Sequence, residues 1–173
     1  WGLFQSATNW CHNLPLFSTE QVGETLPADQ IALPPRCRVG YEDLDWQAGV
    51  HYATFLMSDG DNVQWLMGNF CGGAEAKYYW NNPARGHFAF GWTLCYVDLA
   101  QLCPYTLVKL MKEATPNDDF VLYGGGYYYP DYFGEKRSTK VLADHAAVLR
   151  QYMALGGLKT LAYNAQDWDG EKA

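Results

Sequence analysis

Two short stretches hold the residues best suited to chemistry. The first, Met57-Ser-Asp-Gly-Asp-Asn62, sets Asp59 and Asp61 two positions apart with Asn62 beside them. In an extended chain, residues i and i+2 point to the same side. Two neighbouring carboxylates repel each other's charge, which raises one pKa and leaves an acid next to a base. Glycosidic bond cleavage commonly uses such a pair, and their separation decides between inversion and retention. Gly60 permits a tight turn between them, so the separation stays open at this level. Two other readings stand beside the catalytic one. Asp61 or Asn62 suits the cap of a following helix, and carboxylate and amide oxygens suit a hard cation. An EF-hand loop is excluded, because Phe70 stands where its last acidic ligand belongs.

The second stretch is Tyr123-Gly-Gly-Gly-Tyr-Tyr-Tyr-Pro130. No Lys-Ser or Lys-Thr follows, so it is not a phosphate loop, and Tyr129 occupies the third glycine position of the dinucleotide fingerprint. Glycines let a backbone adopt positive φ and approach a ligand closely, which points to Gly124 and Gly126. Tyr127 and Tyr129 flank Tyr128, so their two rings are expected on one side, where flat faces cover a sugar and phenols bond its hydroxyls. A tight loop pinned by packed tyrosines is the plainer alternative. Asp131 reads as a turn residue or a third acid. Asp167-Trp168 puts an acid beside an aromatic platform, and Trp92 is a further candidate platform. Trp65 is a second candidate platform, though on a helix it reads more simply as core. His12, His51, His87 and His145 share no ligand spacing, and no G-x-S-x-G nucleophile elbow occurs. No cofactor or metal is indicated.

These residues need a frame. His51–Met57, Gly86–Thr93, Asp119–Tyr123 and Leu158–Tyr163 read as strands. Helices are expected from Val63, from Pro104 and after Ser138, with Pro104 suited to a first helical turn. Leu107, Leu110, Met111 and Ala114 fall on one helical face, and Gly156-Gly157 ends the last helix. Strand and helix thus alternate about four times, the pattern of an α/β fold with parallel strands. Eight such units make a complete βα barrel, so the expectation is a TIM-barrel-like domain, incomplete or truncated at its C-terminus, with a small open sheet as the alternative. Residues 1–45, with Pro15, Pro27 and Pro34-Pro35, read as an irregular lead-in, and 46–173 as the α/β domain. Ser58–Asn62, Trp92-Thr93, Gly124–Asp131 and Gln166–Trp168 all follow expected strands. In such folds ligands meet the C-terminal ends of the strands, so the four segments should converge on one face.

Composition narrows the partners. Of 173 residues, 49% are hydrophobic and 18% charged, enough for a core. Thirteen Tyr and seven Trp exceed what a core needs, because buried phenols and indoles must find hydrogen-bond partners. Surplus rings suit a carbohydrate groove, a Tyr-rich core or a subunit interface. The net charge of −7 and the absence of a basic run argue against nucleic acid. No apolar stretch approaches membrane-spanning length. Five cysteines without a CxxC spacing read mostly as buried thiols, with one disulfide admissible. Oligomeric state is left open.

The glycine–tyrosine stretch also carries a resemblance. Gly124-Gly-Gly-Tyr-Tyr-Tyr-Pro130 fits G-x-G-Y-x-Y-P at Gly124, Gly126, Tyr127, Tyr129 and Pro130. It resembles the signature of the GxGYxYP glycoside hydrolase family, and the similarity extends to Met57–Trp65, Gly91-Trp-Thr93 and Ala114–Asp118. The resemblance spans roughly residues 45 to 170. It implies a sugar-processing role assigned by association, in a family mostly bacterial and often exported, hence an extracellular or periplasmic setting. The combined expectation is a glycoside hydrolase acting on an oligo- or polysaccharide. Asp59 and Asp61 would be acid and base or nucleophile, with Asp167 in reserve. Asn62, Trp92, Gly124, Gly126, Tyr127, Tyr129, Asp131 and Trp168 would contact substrate. A non-catalytic carbohydrate-binding module and a metal-dependent glycan esterase or deacetylase are the alternatives.

Overall fold

The computed structural model describes residues 28–33 and 44–166, so Asp167 and Trp168 lie outside the described residues. Four strands, β1 (Leu56–Met57), β2 (Phe90–Leu94), β3 (Asp118–Tyr123) and β4 (Thr160–Ala162), form one parallel sheet in the order β1-β2-β3-β4. Each crossover leads to the next strand along, with no reversal of order among the described strands.

The helices are α1 (Ala28–Ile31), α2 (Val63–Trp65), α3 (Tyr96–Leu102), α4 (Pro104–Glu113), α5 (Pro130–Glu135) and α6 (Thr139–Gly156). A π turn, Leu66–Phe70, continues α2 and bends at Gly68, and a 3-10 turn covers Ala76–Tyr78. Pro104 opens α4. Gly157, in the left-handed conformation at φ 67°, closes α6. Helix α3 has no counterpart among the helices expected from the sequence.

Strands β1 and β2 start later than their apolar runs suggest. Leu56 sits opposite Gly91 and Phe90 opposite Asp118, so the pairing begins only there. Residues 51–54 have no strand opposite them among the described residues and stay exposed.

Parallel register puts Trp92 beside Phe120 and Leu94 beside Leu122 on one face of the sheet. That face packs with Leu99, Leu107 and Leu110 from α3 and α4 into the core. Phe70, Trp80, Tyr96 and Phe120 are fully buried, each contributing ~1.5–3 kcal/mol of hydrophobic stabilisation. Ile31 and Leu33 join the same core, held where Tyr96 Oη donates to the Ile31 carbonyl at 2.7 Å and Leu33 N donates to the Gly156 carbonyl at 2.9 Å. The other face carries Gly91, Thr93, Val121 and Tyr123 and leads to the loops described next.

Buried polar groups at the N-terminal ends of the strands are paired. Asp118, 1% exposed, accepts from Trp92 Nε1 at 2.8 Å and from the Thr115 backbone N–H at 2.8 Å, and forms an ion pair with Arg85 at 2.6 Å. The Arg85 guanidinium also covers the Trp80 ring at 4.1 Å. This network secures the end of the sheet opposite the candidate site.

Candidate active site

The loop after β1 is locked onto the end of β2. Thr93 Oγ1 accepts from the Gly60 N–H at 2.9 Å and donates to the Met57 carbonyl at 2.8 Å, while Cys95 N donates to the Gly60 carbonyl at 2.5 Å. A Cβ on Gly60 would stand 1.8 Å from the Thr93 carbonyl oxygen, so only glycine fits. Asp59 just before it takes φ 67°, an uncommon conformation for a non-glycine residue. Asn62 caps α2, its Oδ1 accepting from Trp65 N at 3.1 Å. The helix-cap reading of this stretch is therefore realised at Asn62 rather than Asp61.

The loop after β3 folds back through Gly124 (φ 46°) and Gly126 (φ 103°). Tyr128 turns inward, meeting His145 Nε2 on α6 through its hydroxyl at 2.8 Å. Tyr127 and Tyr129 turn the other way, as their alternation requires. Their hydroxyls lie 2.9 Å apart and their rings meet edge to face at 5.7 Å. Asp131, buried in the first turn of α5, accepts from Gln166 N at 2.9 Å, which ties the loop after β3 to the one after β4.

The two loops meet at one open cavity of about 870 Å³ at the C-terminal end of the sheet. Asp59, Asp61 and Asn62 line it from one side and Tyr127 from the other, with Ser58, Gln64, Trp65, Asn69 and Tyr79 completing the wall. Asp61 is 8% exposed; burial foremost, and then the Asp59 charge, raise its pKa above the ordinary carboxylate value, while its own backbone N–H pulls the other way. Burial, followed by the charge of Asp61, pushes Tyr123 up to about 12. Hydrogen bonding to Tyr129 leads the causes that raise Tyr127, with Asp61 contributing. The carboxylate loop and the tyrosine loop thus share one electrostatic neighbourhood.

Not every expected residue reaches this cavity. Trp92 is 6% exposed and belongs to the aromatic core, because its position in β2 points it to the helix-covered face. It borders a smaller hollow of about 250 Å³, with Phe88, Phe90 and Arg85, which shares Met57 and Tyr79 with the main cavity. Gly124, Gly126, Tyr129 and Asp131 shape the tyrosine loop without lining the cavity themselves.

Several residues that matter here carry no sequence signal of their own. Tyr79, which follows the 3-10 turn, meets Trp65 at the end of α2 edge to face at 5.2 Å on the cavity wall, so the tryptophan read chiefly as core also faces the opening. Asp98, in the first turn of α3, is 2% exposed, and its Oδ2 has no hydrogen-bond partner among the described residues. Burial raises its pKa to about 7. No cluster of three or more His, Cys, Asp or Glu able to hold a metal occurs among the described residues. Nor is any helix among them long and apolar enough to cross a membrane.

Comparison with known proteins shows the family of the chain. The chain is similar to a putative hydrolase from Bacteroides thetaiotaomicron VPI-5482 of known crystal structure, at 26% identity and a TM-score of 0.61. The similarity covers 84% of this chain and 25% of that one, so the chain spans about a quarter of the length of this relative. No curated protein matches it. Residues 49–171 match the profile described as "GxGYxYP putative glycoside hydrolase C-terminal domain", which takes in both cavity-lining loops, and the chain belongs to the GxGYxYP family.

Proposed function

We propose that the chain carries the acid–base part of a glycoside hydrolase active site, acting on an oligo- or polysaccharide. The observation that supports this best is the shared cavity: Asp59, Asp61 and Asn62 from one strand end and Tyr127 from another line a single opening. That opening lies at the C-terminal ends of parallel strands, where α/β folds bind ligands. Asp61 is the general acid, since burial and the neighbouring charge favour its protonated form. Asp59, exposed to solvent, is the base or nucleophile. Trp65, Tyr79 and Tyr127 offer flat faces to sugar rings, and Asn62, Gln64 and Asn69 offer amides to hydroxyls. Asp167 stays the reserve carboxylate and Trp168 an added platform. The sequential strand order supports reading the sheet as a segment of a βα barrel.

The test is sugar release from a broad glycan panel by the wild type and by Asp59→Asn and Asp61→Asn, each checked for folding by circular dichroism. Loss of release in a folded variant, with affinity retained, supports the carboxylate pair. Unchanged release in both variants rejects it. Binding without release, dependent on Tyr127, would favour a carbohydrate-binding module instead.

A further inference from the structure

The charges in the cavity point to a class of sugar. Asp59 and Asp61 line it, and no Lys, Arg or His does so among the described residues. Neither aspartate forms an ion pair among those residues. Asp61 is more than nine-tenths buried and opens onto the cavity, and apart from its own backbone N–H no described group bonds its carboxylate. No counter-ion offsets the negative charge of the pair among the described residues, so a cationic ligand group is the natural complement. The rings of Trp65, Tyr79 and Tyr127 on the same wall add faces that attract an ammonium as well as the C–H face of a sugar.

We infer that the cavity takes a glycan whose sugar carries a free amino group, with the ammonium seated against Asp59. This rests on the hydrolase reading and adds the substrate class to it. One ammonium seated against the pair offsets negative charge that no described side chain offsets. With the ammonium beside Asp59, burial, the leading cause, still favours the protonated form of Asp61. A uronate or sulfated sugar instead brings a further negative charge into the same space and is disfavoured. The overall charge of −7 works in the same direction during approach.

Four tetrasaccharides with one β-1,4 gluco backbone isolate the effect: the glucosamine, N-acetylglucosamine, glucose and glucuronate forms. Binding to the wild-type protein is followed in the cold by tryptophan fluorescence, with sugar release measured in parallel on the broad panel. The free-amine form should bind at least about tenfold tighter than the acetylated and glucose forms, and the glucuronate most weakly. The preference should shrink with added salt and disappear in Asp59→Asn. Equal binding of the amine and glucose forms, or tightest binding of the glucuronate, overturns the inference while leaving the hydrolase reading to the release assay. Failure of all four to bind overturns it as well. Release abolished by neither aspartate variant sinks the hydrolase reading, whatever the amine preference.

Discussion

The Oδ2 atom of Asp98 lies 2.5 Å from the point where a Cβ on Gly126 would stand. Gly126 is a fixed position of the G-x-G-Y-x-Y-P signature, and the next residue, Tyr127, lines the cavity. The glycine therefore answers two demands. It adopts φ 103°, which side chains resist, and it leaves room for a buried carboxyl reaching across from α3. The same reasoning covers Gly124, where a Cβ would meet the Tyr128 ring at 2.5 Å. The glycines of the motif act through packing, and Tyr127, directly after them, lines the cavity.

Gly126→Ala should accordingly lower stability by about 1–3 kcal/mol through backbone strain alone, with the Asp98 contact adding to it. The displaced loop should carry Tyr127 away from the cavity and weaken glycan binding. Urea unfolding and a binding titration on the same variant check both effects. A variant as stable and as competent as wild type would show that the loop has room this geometry denies.

Asp98 makes stability depend on pH. Its pKa of about 7 in the folded chain exceeds the value of about 4 expected when unfolded. Between those values the folded state holds a proton that the unfolded state releases, so stability falls as pH rises. The contribution is complete below about pH 4 and lost by about pH 7. Asp61 is raised too and adds to the same slope. Asp98→Asn removes the largest titrating group and should flatten the fall in thermal midpoint across this range. An unchanged slope would mean that Asp98 is not the buried proton holder.

How far the sequence revealed this arrangement depends on how local the determining contacts are. The alternation of strands and helices was legible because apolar periodicity and punctuation by Pro104 and Gly157 are local. The meeting of Asp61 and Tyr127 was legible because strand ends in parallel sheets share one side. Trp92 was not, since its face depends on the register with Phe120, which no neighbouring residue encodes. Tyr79 and Asn69 reach the cavity through π and 3-10 turns that lack any hydrophobic period. Asp98 stands in a stretch where no helix was expected, and only the fold reveals how completely it is covered.

Thr93 holds the carboxylate loop by both of its hydrogen bonds, so its hydroxyl should matter more than its methyl. Thr93→Val leaves the Gly60 N–H and the Met57 carbonyl without this partner and should cost about 1–3 kcal/mol. Thr93→Ser keeps the hydroxyl and should lose much less. If the loop positions Asp59 and Asp61, Thr93→Val should also lower sugar release beyond its effect on folding, with Thr93→Ser close to wild type. Equal behaviour of the two variants would separate the loop from Thr93.

Asn62 has two duties that substitution can separate. Its side chain caps α2 through the bond to Trp65 N, and it also lines the cavity. Asn62→Ala should cost about 0.5–2 kcal/mol for the lost cap, whereas Asn62→Ser restores a capping oxygen and most of that stability. The shorter serine does not reproduce the amide offered to a ligand. If Asn62 contacts sugar, Asn62→Ser will therefore be stable yet bind glycan more weakly than wild type. Full binding by a stable Asn62→Ser protein would confine Asn62 to its helix cap and leave Gln64 and Asn69 as the amides that meet the sugar.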